Sequence, residues 1–346
     1  MGHEVELLTV RLREEWVDEE KVDGIRVFRS KPLENFITKT GFRDVKLVLQ
    51  FASWAFGNAL KNDGVDVVEA NHCPIFPSMS SWFLSKLRSE PLCVTFHEAW
   101  HSEWYRYVPQ RLLAPLGIVL ESLTTKLPDV AVAVSEMTAN RLVHLFGLAR
   151  EKIMVIPNGV DLELFESVKA DRDNRKIVFV GRLNPHKKIE WLLEAFAKIR
   201  DEFPDATLEL VGDGVMRSKL VLKEGIVCRG AVDDLELVRA LKSAWVYVLP
   251  SIREGQSITT LEAMAAGTPQ IVVDAPSNGA AELVHSSGSG IVVNPSAQAI
   301  RDALSFLMKN DELWALFHRR GLEFGGSYGW DRVAQRYLET YESLLN

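Results

Sequence analysis

The chain has 346 residues, 47% of them apolar and 25% charged, with a formal net charge of −7. That length suits two domains and that balance an ordinary globular protein, while an acidic chain argues against a general nucleic-acid binder. Cys73, Cys93 and Cys228 show no CxxC and no metal-ligand spacing, which reads as reduced thiols of a cytosolic protein.

Short apolar runs alternate with helical patterns along the sequence. In the first half the runs are 24–29, 66–70, 91–96, 129–135 and 152–157. Between the first two, a helical pattern over 44–60 sets Val45, Leu47, Val48, Phe51, Trp54 and Ala55 largely on one face. Residues 166–176 are polar, charged and patternless, as a linker is. Alternation restarts at "KIVFVG" and passes through a helix striped by Ile189, Leu192, Leu193, Phe196 and Ile199. Then come "TLELVG", a charged helix, "GIVCRG", the helix "DLELVRAL", "WVYVLP", the helix "TTLEAMAAG", "PQIVVD" and "SGIVVN". Three helical patterns close the chain, the last with Val333, Tyr337, Tyr341 and Leu344 in register. Repeated strand–helix units build parallel sheets covered on both faces, so two α/β domains joined near residue 165 are expected. The longest near-apolar run, 112–120, is too short to span a bilayer and is broken by Pro115. The acidic and polar first residues lack signal-peptide order.

In open parallel sheets ligands bind beyond the carboxyl ends of the strands, near helix N-termini. Four such loops carry chemistry. After the strand ending at Gly181, Arg182 and Lys187 precede a helix, where two cations can neutralise a diphosphate; read alone, such a loop is more often a solvated turn. In "VLPSIREGQSITTLEAMAAGTP", Glu254 stands on a loop, Gly255 permits a tight backbone and Ser257 suits an N-cap for a helix beginning at Ile258. Glu262 lies eight positions after Glu254 on a different element, so spacing alone does not make them an acid/base pair. N–H groups near 256–259 suit a phosphate, with Glu254 placed for hydroxyls of an attached group. "VGDG" places Gly212 and Asp213 at a third strand end, a weak signal. In the first half, His97 ends the strand "PLCVTF". Its loop holds Glu98, Trp100, His101, Glu103 and Trp104, a set suited to sugar contact.

These segments, in order with "VTFH", "AVAVSE", "VIPNGVDLELF" and "GSGIVVNP", resemble the retaining nucleotide-sugar glycosyltransferases of family 4 over nearly the whole chain. The resemblance implies an α/β GT-B fold of two Rossmann-like domains facing a cleft. Residues 1–165 form the acceptor side, 166–329 bind the nucleotide-sugar, and helix 330–346 packs back on the first domain. It implies retaining transfer of a hexose or N-acetylhexosamine from a UDP- or GDP-sugar to a lipid-linked or glycan acceptor, with no cofactor and no metal. Arg182, Lys187 and the backbone at Gln256, Ser257 and Ile258 would hold the diphosphate. Glu262 would bind the ribose, Glu254 and His97 would be catalytic, and the Gly181, Gly212 and Asp213 loops would support them. Glu254 and Glu262 are the pair of its E-x7-E motif. Asp233–Asp234 reads as a helix cap.

Two positions depart from the family pattern. Gln256–Ser257 stands where Phe-Gly is common, adding a side chain beside the sugar, and Lys188 replaces a common Gly, pointing either to the phosphates or to solvent. Residues 106–123 could give a basic, apolar membrane-facing surface; the simpler reading, preferred from sequence, is a core helix with exposed arginines. Location is expected to be cytoplasmic, with peripheral attachment to a membrane as a second element. Residues 2–10 match the family's second strand, so a first strand, glycine-rich loop and helix of roughly 30 residues are expected to be missing, through a late start codon or truncation. The rival reading is a catalytically impaired GT-B protein that binds sugar nucleotides or a partner.

Overall fold

The structure, a computed structural model, describes residues 2–32, 44–61, 64–72, 75–107, 111–220 and 223–346. The alternating runs assemble into two compact units. The first comprises residues 1–133, 139–154 and 340–346, the second 134–138 and 155–339. Apart from residues 134–138, the second unit thus begins at Val155, ahead of the polar stretch 166–176, and the chain leaves it at Thr340.

The first unit contains β1 (Glu6–Thr9), β2 (Glu19–Val22), β3 (Ile25–Arg29), α1 (Val45–Ala59), β4 (Val68–Asn71), α2 (Ile75–Arg88), β5 (Leu92–Phe96), α3 (Trp104–Tyr107), α4 (Ala114–Thr124), β6 (Val130–Ala133), α5 (Glu136–Phe146) and β7 (Ile153–Val155). Helix α5 straddles the division between the units. Strands β4-β5-β6-β7 form one sheet and β1-β3-β2 a second. Its β2–β3 pair is an antiparallel hairpin rather than part of a uniformly parallel pattern. Asp23 and Gly24 turn it with φ of 49° and 89°, the left-handed pair a tight hairpin needs, and the Asp-Gly dipeptide is its sequence signal. On β1, Val5 just before the strand and Leu7 within it are exposed.

Helix α4 departs from the core-helix reading. Leu112, just before it, and Leu116, Val119 and Leu123 along it are all exposed, a spacing that keeps them on one face. Its buried positions are Ala114, Glu121 and Thr124. Residues 108–110 and Cys73 lie outside the described residues. Of the other cysteines, Cys93 is buried, which pushes its thiol up, and Cys228 is partly buried; both are free. No helix among the described residues is long and apolar enough to cross a membrane.

The second unit contains α6 (Leu162–Ser167), β8 (Asp173–Val180), α7 (Ile189–Glu202), β9 (Thr207–Val211), β10 (Ile226–Gly230), α8 (Asp234–Ser243), β11 (Ala244–Leu249), β12 (Arg253–Glu254), α9 (Ile258–Ala265), β13 (Gln270–Val273), β14 (Ser277–Asn278), α10 (Gly279–Ser287), β15 (Gly290–Val293), α11 (Ala297–Met308), α12 (Asp311–Gly325) and the greater part of α13 (Trp330–Leu345), whose residues from Thr340 on belong to the first unit. Six strands pair in parallel in the order β10-β9-β8-β11-β13-β15. The core lies on both faces of this sheet, with Ile177, Val178 and Phe179 of β8 and Tyr247, Val248 and Leu249 of β11 fully buried. That is why these strands read as continuous apolar runs. The charged helix expected after β9 is instead a single 3-10 turn at Arg217–Lys219 among the described residues.

The polar stretch 166–176 is firmly attached. Val168 is buried, and Arg172 donates to Ala244 O (2.8 Å), Thr268 Oγ1 (3.1 Å) and Ala266 O (3.1 Å). Burial lowers the Arg172 pKa to about 10. Its guanidinium lies 5.0 Å over Trp314, which stacks on Trp245 at 4.3 Å and on His318 at 5.0 Å. Strand β8 accordingly begins at Asp173, inside that stretch.

Candidate functional site

The order β10-β9-β8-β11-β13-β15 reverses direction between β8 and β11. At such a switch point the loops leaving the two strands diverge and open a crevice beyond their carboxyl ends. The loop after β8 carries Gly181, Arg182 and Lys187, and the loop after β11 carries Glu254, Gln256 and Ser257. A third loop, after β9, closes on the first: Gly181 N donates to Val211 O (2.9 Å) and Leu183 N to Asp213 O (2.9 Å). A Cβ at Gly212 would collide with Gly181 O, and one at Gly214 with Leu183 O. Asp213 accepts from Gly214 N (2.7 Å) and Arg217 Nη1 (3.0 Å), bonds that lower its carboxyl pKa.

Lys187 Nζ lies 2.5 Å from Glu254 Oε1, with both side chains almost buried. Arg182 is exposed. The intervening His186 was not singled out in the sequence. Burial, and then the charges of Arg253, Lys187 and Arg182, lower its pKa to about 3, so it stays neutral. Its carbonyl accepts Ile252 N (3.0 Å), joining the two loops. Lys188 occupies the left-handed region at φ 50°, which explains a glycine preference there. Its ammonium lies 3.4 Å from Glu190 and over the Trp191 ring, at the start of α7.

Ser257 stands at the N-cap of α9 with φ 74°, also left-handed, and makes no side-chain cap bond. Its Oγ instead meets Thr260 Oγ1 at 2.8 Å, so no capping side chain occupies the helix start and an anion could take its N–H groups. Tyr247 OH, fully buried, meets Thr259 Oγ1 at 2.8 Å beneath the same turn. Burial first, with Glu254 and Glu262 adding to it, raises the Tyr247 pKa. Glu262 sits further along α9; burial and then Asp234 push its carboxyl up to about 7. Asp233 caps α8 through Glu236 N (2.8 Å). Among the described residues no group of three or more His, Cys, Asp or Glu could hold a metal ion.

In the first unit His97 is exposed at the end of β5, its Nε2 2.7 Å from Asn71 Oδ1. An amide oxygen there requires the proton on Nε2. The loop beyond is pinned by Glu121 of α4, whose carboxylate accepts Trp100 N (2.7 Å), His101 N (2.8 Å) and Trp104 Nε1 (2.7 Å). Burial raises the Glu121 pKa against those bonds. Trp100 also donates through Nε1 to Glu98 Oε2 (2.7 Å), so much of this aromatic and polar set serves the loop itself.

Comparison with known proteins gives the family and the fold. Residues 1–164 match the model described as Glycosyltransferase Family 4, and residues 174–310 that described as Glycosyl transferases group 1. The chain is 31% identical over 283 residues to a phosphatidyl-myo-inositol mannosyltransferase of Mycobacterium leprae, covering 79% of this chain and 72% of that one. The chain is a glycosyltransferase with family 4 and group 1 domains. Two solved structures share its fold. Sucrose-phosphate synthase from Thermosynechococcus elongatus has a TM-score of 0.81 at 21% identity, over 99% of this chain and 89% of that one. Anabaena HepE in complex with UDP-glucose has a TM-score of 0.73 at 16% identity, over 98% and 99%.

The glycosyltransferase thus has the GT-B fold class, built from two Rossmann-like units. Within its second unit Lys187 meets Glu254, and the Gly181 and Gly212–Asp213 loops meet each other. Glu262 lies just over one turn along α9 from its start at Ile258 and makes no part of the Lys187–Glu254 contact. His97 belongs to the first unit of the glycosyltransferase. Sequence reasoning missed His186 and Tyr247, since a histidine between cations and a tyrosine inside an apolar strand both look like filler.

Proposed function

We propose that this glycosyltransferase moves a hexose or N-acetylhexosamine from a UDP- or GDP-sugar to a lipid-linked or glycan acceptor, retaining anomeric configuration and needing no metal. The observation that carries the reading is the buried Lys187–Glu254 pair beside the uncapped start of α9, at the switch point of the sheet. In the transfer the bond from the sugar's C1 to the diphosphate oxygen breaks and one from the acceptor oxygen to C1 forms. The acceptor's proton passes to the departing phosphate or a nearby base. Arg182, Lys187 and the backbone of Gln256, Ser257 and Ile258 stabilise the charge growing on the diphosphate. Glu254 takes sugar hydroxyls, Glu262 the ribose, and His97 serves the acceptor side. The UDP-glucose bound by HepE supports a nucleotide-sugar donor. Purified protein mixed with UDP- and GDP-sugars, with and without lipid or glycan extract and chelator, tests this by release of nucleoside diphosphate and the anomeric configuration of the product. Binding without turnover from any donor would favour the binding-module reading.

The membrane reading gains from the same comparison, since the mycobacterial relative's name gives a phosphatidyl lipid. It gains more from the helices. Helix α1 packs against α2 and α2 against α4. Val45 and Leu49 of α1 and Phe83 and Leu87 of α2 are exposed as well. Although the chain is net acidic, α1 and α2 contain no Asp or Glu and the single carboxylate of α4, Glu121, is buried. Lys46 and Lys126 stand exposed within and beside these helices. Asp129, beyond α4, is exposed and lies 3.5 Å from Lys86 of α2, so the helices themselves are apolar and free of exposed carboxylates, which fits an anionic bilayer surface. Co-sedimentation with vesicles rich in anionic lipid, lost with Leu116→Glu and Val119→Glu, is the expected result; binding indifferent to lipid charge, or self-association through this face, would oppose it.

A further inference from the structure

The loop bearing Glu254 is gripped by residues far away in sequence. Asn158, 98 positions earlier, donates its backbone N–H (2.7 Å) and its Nδ2 (2.5 Å) to a single atom, Oε1 of Gln256. The carbonyl of Gly255 accepts Ser135 Oγ at 2.6 Å and Thr138 Oγ1 at 3.4 Å. Behind it Gly279 comes so close to Gly255 O that a Cβ there would collide. Both donor segments, 134–138 and the stretch from Val155, are parts of the first half of the chain that belong to the second unit. Two hydrogen bonds converge on the amide oxygen of Gln256, which fixes its orientation and leaves Nε2 to find another partner. That Nε2 has no hydrogen-bond partner among the described residues, although the side chain is only 3% exposed. A buried N–H in that state is costly until something accepts from it.

We propose that Asn158 and Ser135 are positioning residues that clasp the donor loop, and that Gln256 Nε2 is a hydrogen-bond donor reserved for an oxygen of the bound nucleotide-sugar. This rests on the donor reading above. Asn158 holds the Gln256 side chain, Ser135 holds the preceding carbonyl, and together they set the backbone of 256–258 before a ligand arrives. The loop then spends little ligand-binding energy on ordering itself.

The test uses the full chain, with UDP and GDP as probes in calorimetric titrations, and hydrogen exchange of the ligand-free protein. Asn158→Ala is expected to weaken binding of the nucleotide that the wild type binds by about tenfold, Gln256→Ala by at least as much because it removes both bonds to Asn158 and Nε2 with them, and the double variant no more than Gln256→Ala alone, since without Gln256 the Asn158 amide has nothing to hold. Exchange should quicken in peptides covering 254–260 in Asn158→Ala and Ser135→Ala, with peptides covering 176–181 unchanged. Gln256→Glu keeps an oxygen for Asn158 but removes Nε2: its loop exchange should match wild type while nucleotide-sugar binding falls. Unchanged exchange in Asn158→Ala overturns the clasp. Faster exchange with unchanged affinity overturns its link to the donor, as would a double variant that binds about tenfold more weakly than Gln256→Ala. Full affinity of Gln256→Glu for UDP- and GDP-sugars overturns the role of Nε2. A wild type that binds neither nucleotide would overturn the donor reading, and with it the role of Nε2, leaving exchange to decide the clasp.

Discussion

Replacing Glu262 by Gln should stabilise the second unit at high pH while weakening nucleotide binding. Burial, reinforced by Asp234, lifts this carboxyl from its ordinary 4.5 to about 7. At about 1.4 kcal/mol per pH unit, that interval corresponds to about 3 kcal/mol. Because the folded pKa lies above the unfolded one, neither state carries the charge below 4.5 and no cost exists there. As pH rises from 4.5 to about 7 the unfolded chain ionises first, and the folded state loses stability until the full cost is present above about 7. Glu262→Gln removes this titration. At pH 8 the variant should be more stable by up to about 3 kcal/mol, about 6–12 °C in the melting temperature of a unit of this size, and at pH 4.5 the two should coincide. Near-UV circular dichroism melts from pH 4.5 to 8.5 read this directly. If Glu262 takes ribose hydroxyls, as proposed, the more stable variant also binds UDP or GDP less tightly. Parallel melting curves across the range, or a variant less stable at pH 8, would refute the electrostatic account.

Glu254→Gln and Arg182→Ala should each lower transfer at least about a hundredfold, as loss of charge stabilisation in a transition state does, with far-UV spectra unchanged; normal turnover in either would show the motif assignment to be wrong. Ser257→Val should destabilise by roughly 1–2 kcal/mol or more, because a β-branched residue is forced into the left-handed region, whereas Ser257→Gly should be near neutral in denaturant titration, relief of strain offsetting the lost Thr260 contact. Glu121→Ala should cost at least about 2 kcal/mol by orphaning three N–H donors, and proteolysis should then cut first between Trp100 and Trp104.

The two strand–helix alternations were legible because buried parallel strands are apolar throughout and helices mark their covered face every 3.6 residues. What the pattern does not carry is which face is covered. Leu116, Val119 and Leu123 have the spacing of a buried stripe and are exposed, while Glu121 on the same helix is buried. Composition misleads in the same way at 166–176, where Arg172 is charged yet lodged against Trp314. The site loops could be found from glycines and cations, but not their backbone shape, since Lys188 and Ser257 hold left-handed conformations without being glycine. Nor could the Asn158–Gln256 contact be foreseen, because nothing local links residues 98 positions apart.

The aromatic column beside Arg172 gives the second unit an optical signature. Two indoles 4.3 Å apart and nearly parallel, Trp245 and Trp314, couple their electronic transitions. His318 stacks on Trp314, and the cation of Arg172 lies over the same ring. Excitation in such a stack is shared and its emission quenched, and a couplet is expected in the near-ultraviolet dichroism. When the indoles separate the couplet vanishes and the emission recovers. Of the nine tryptophans in the chain, Trp100 and Trp104 of the first unit are also close, 5.1 Å apart and tilted by 55°, so the share of the signal lost in Trp314→Phe reports whether the unit holding Lys187 and Glu254 is folded, without any label.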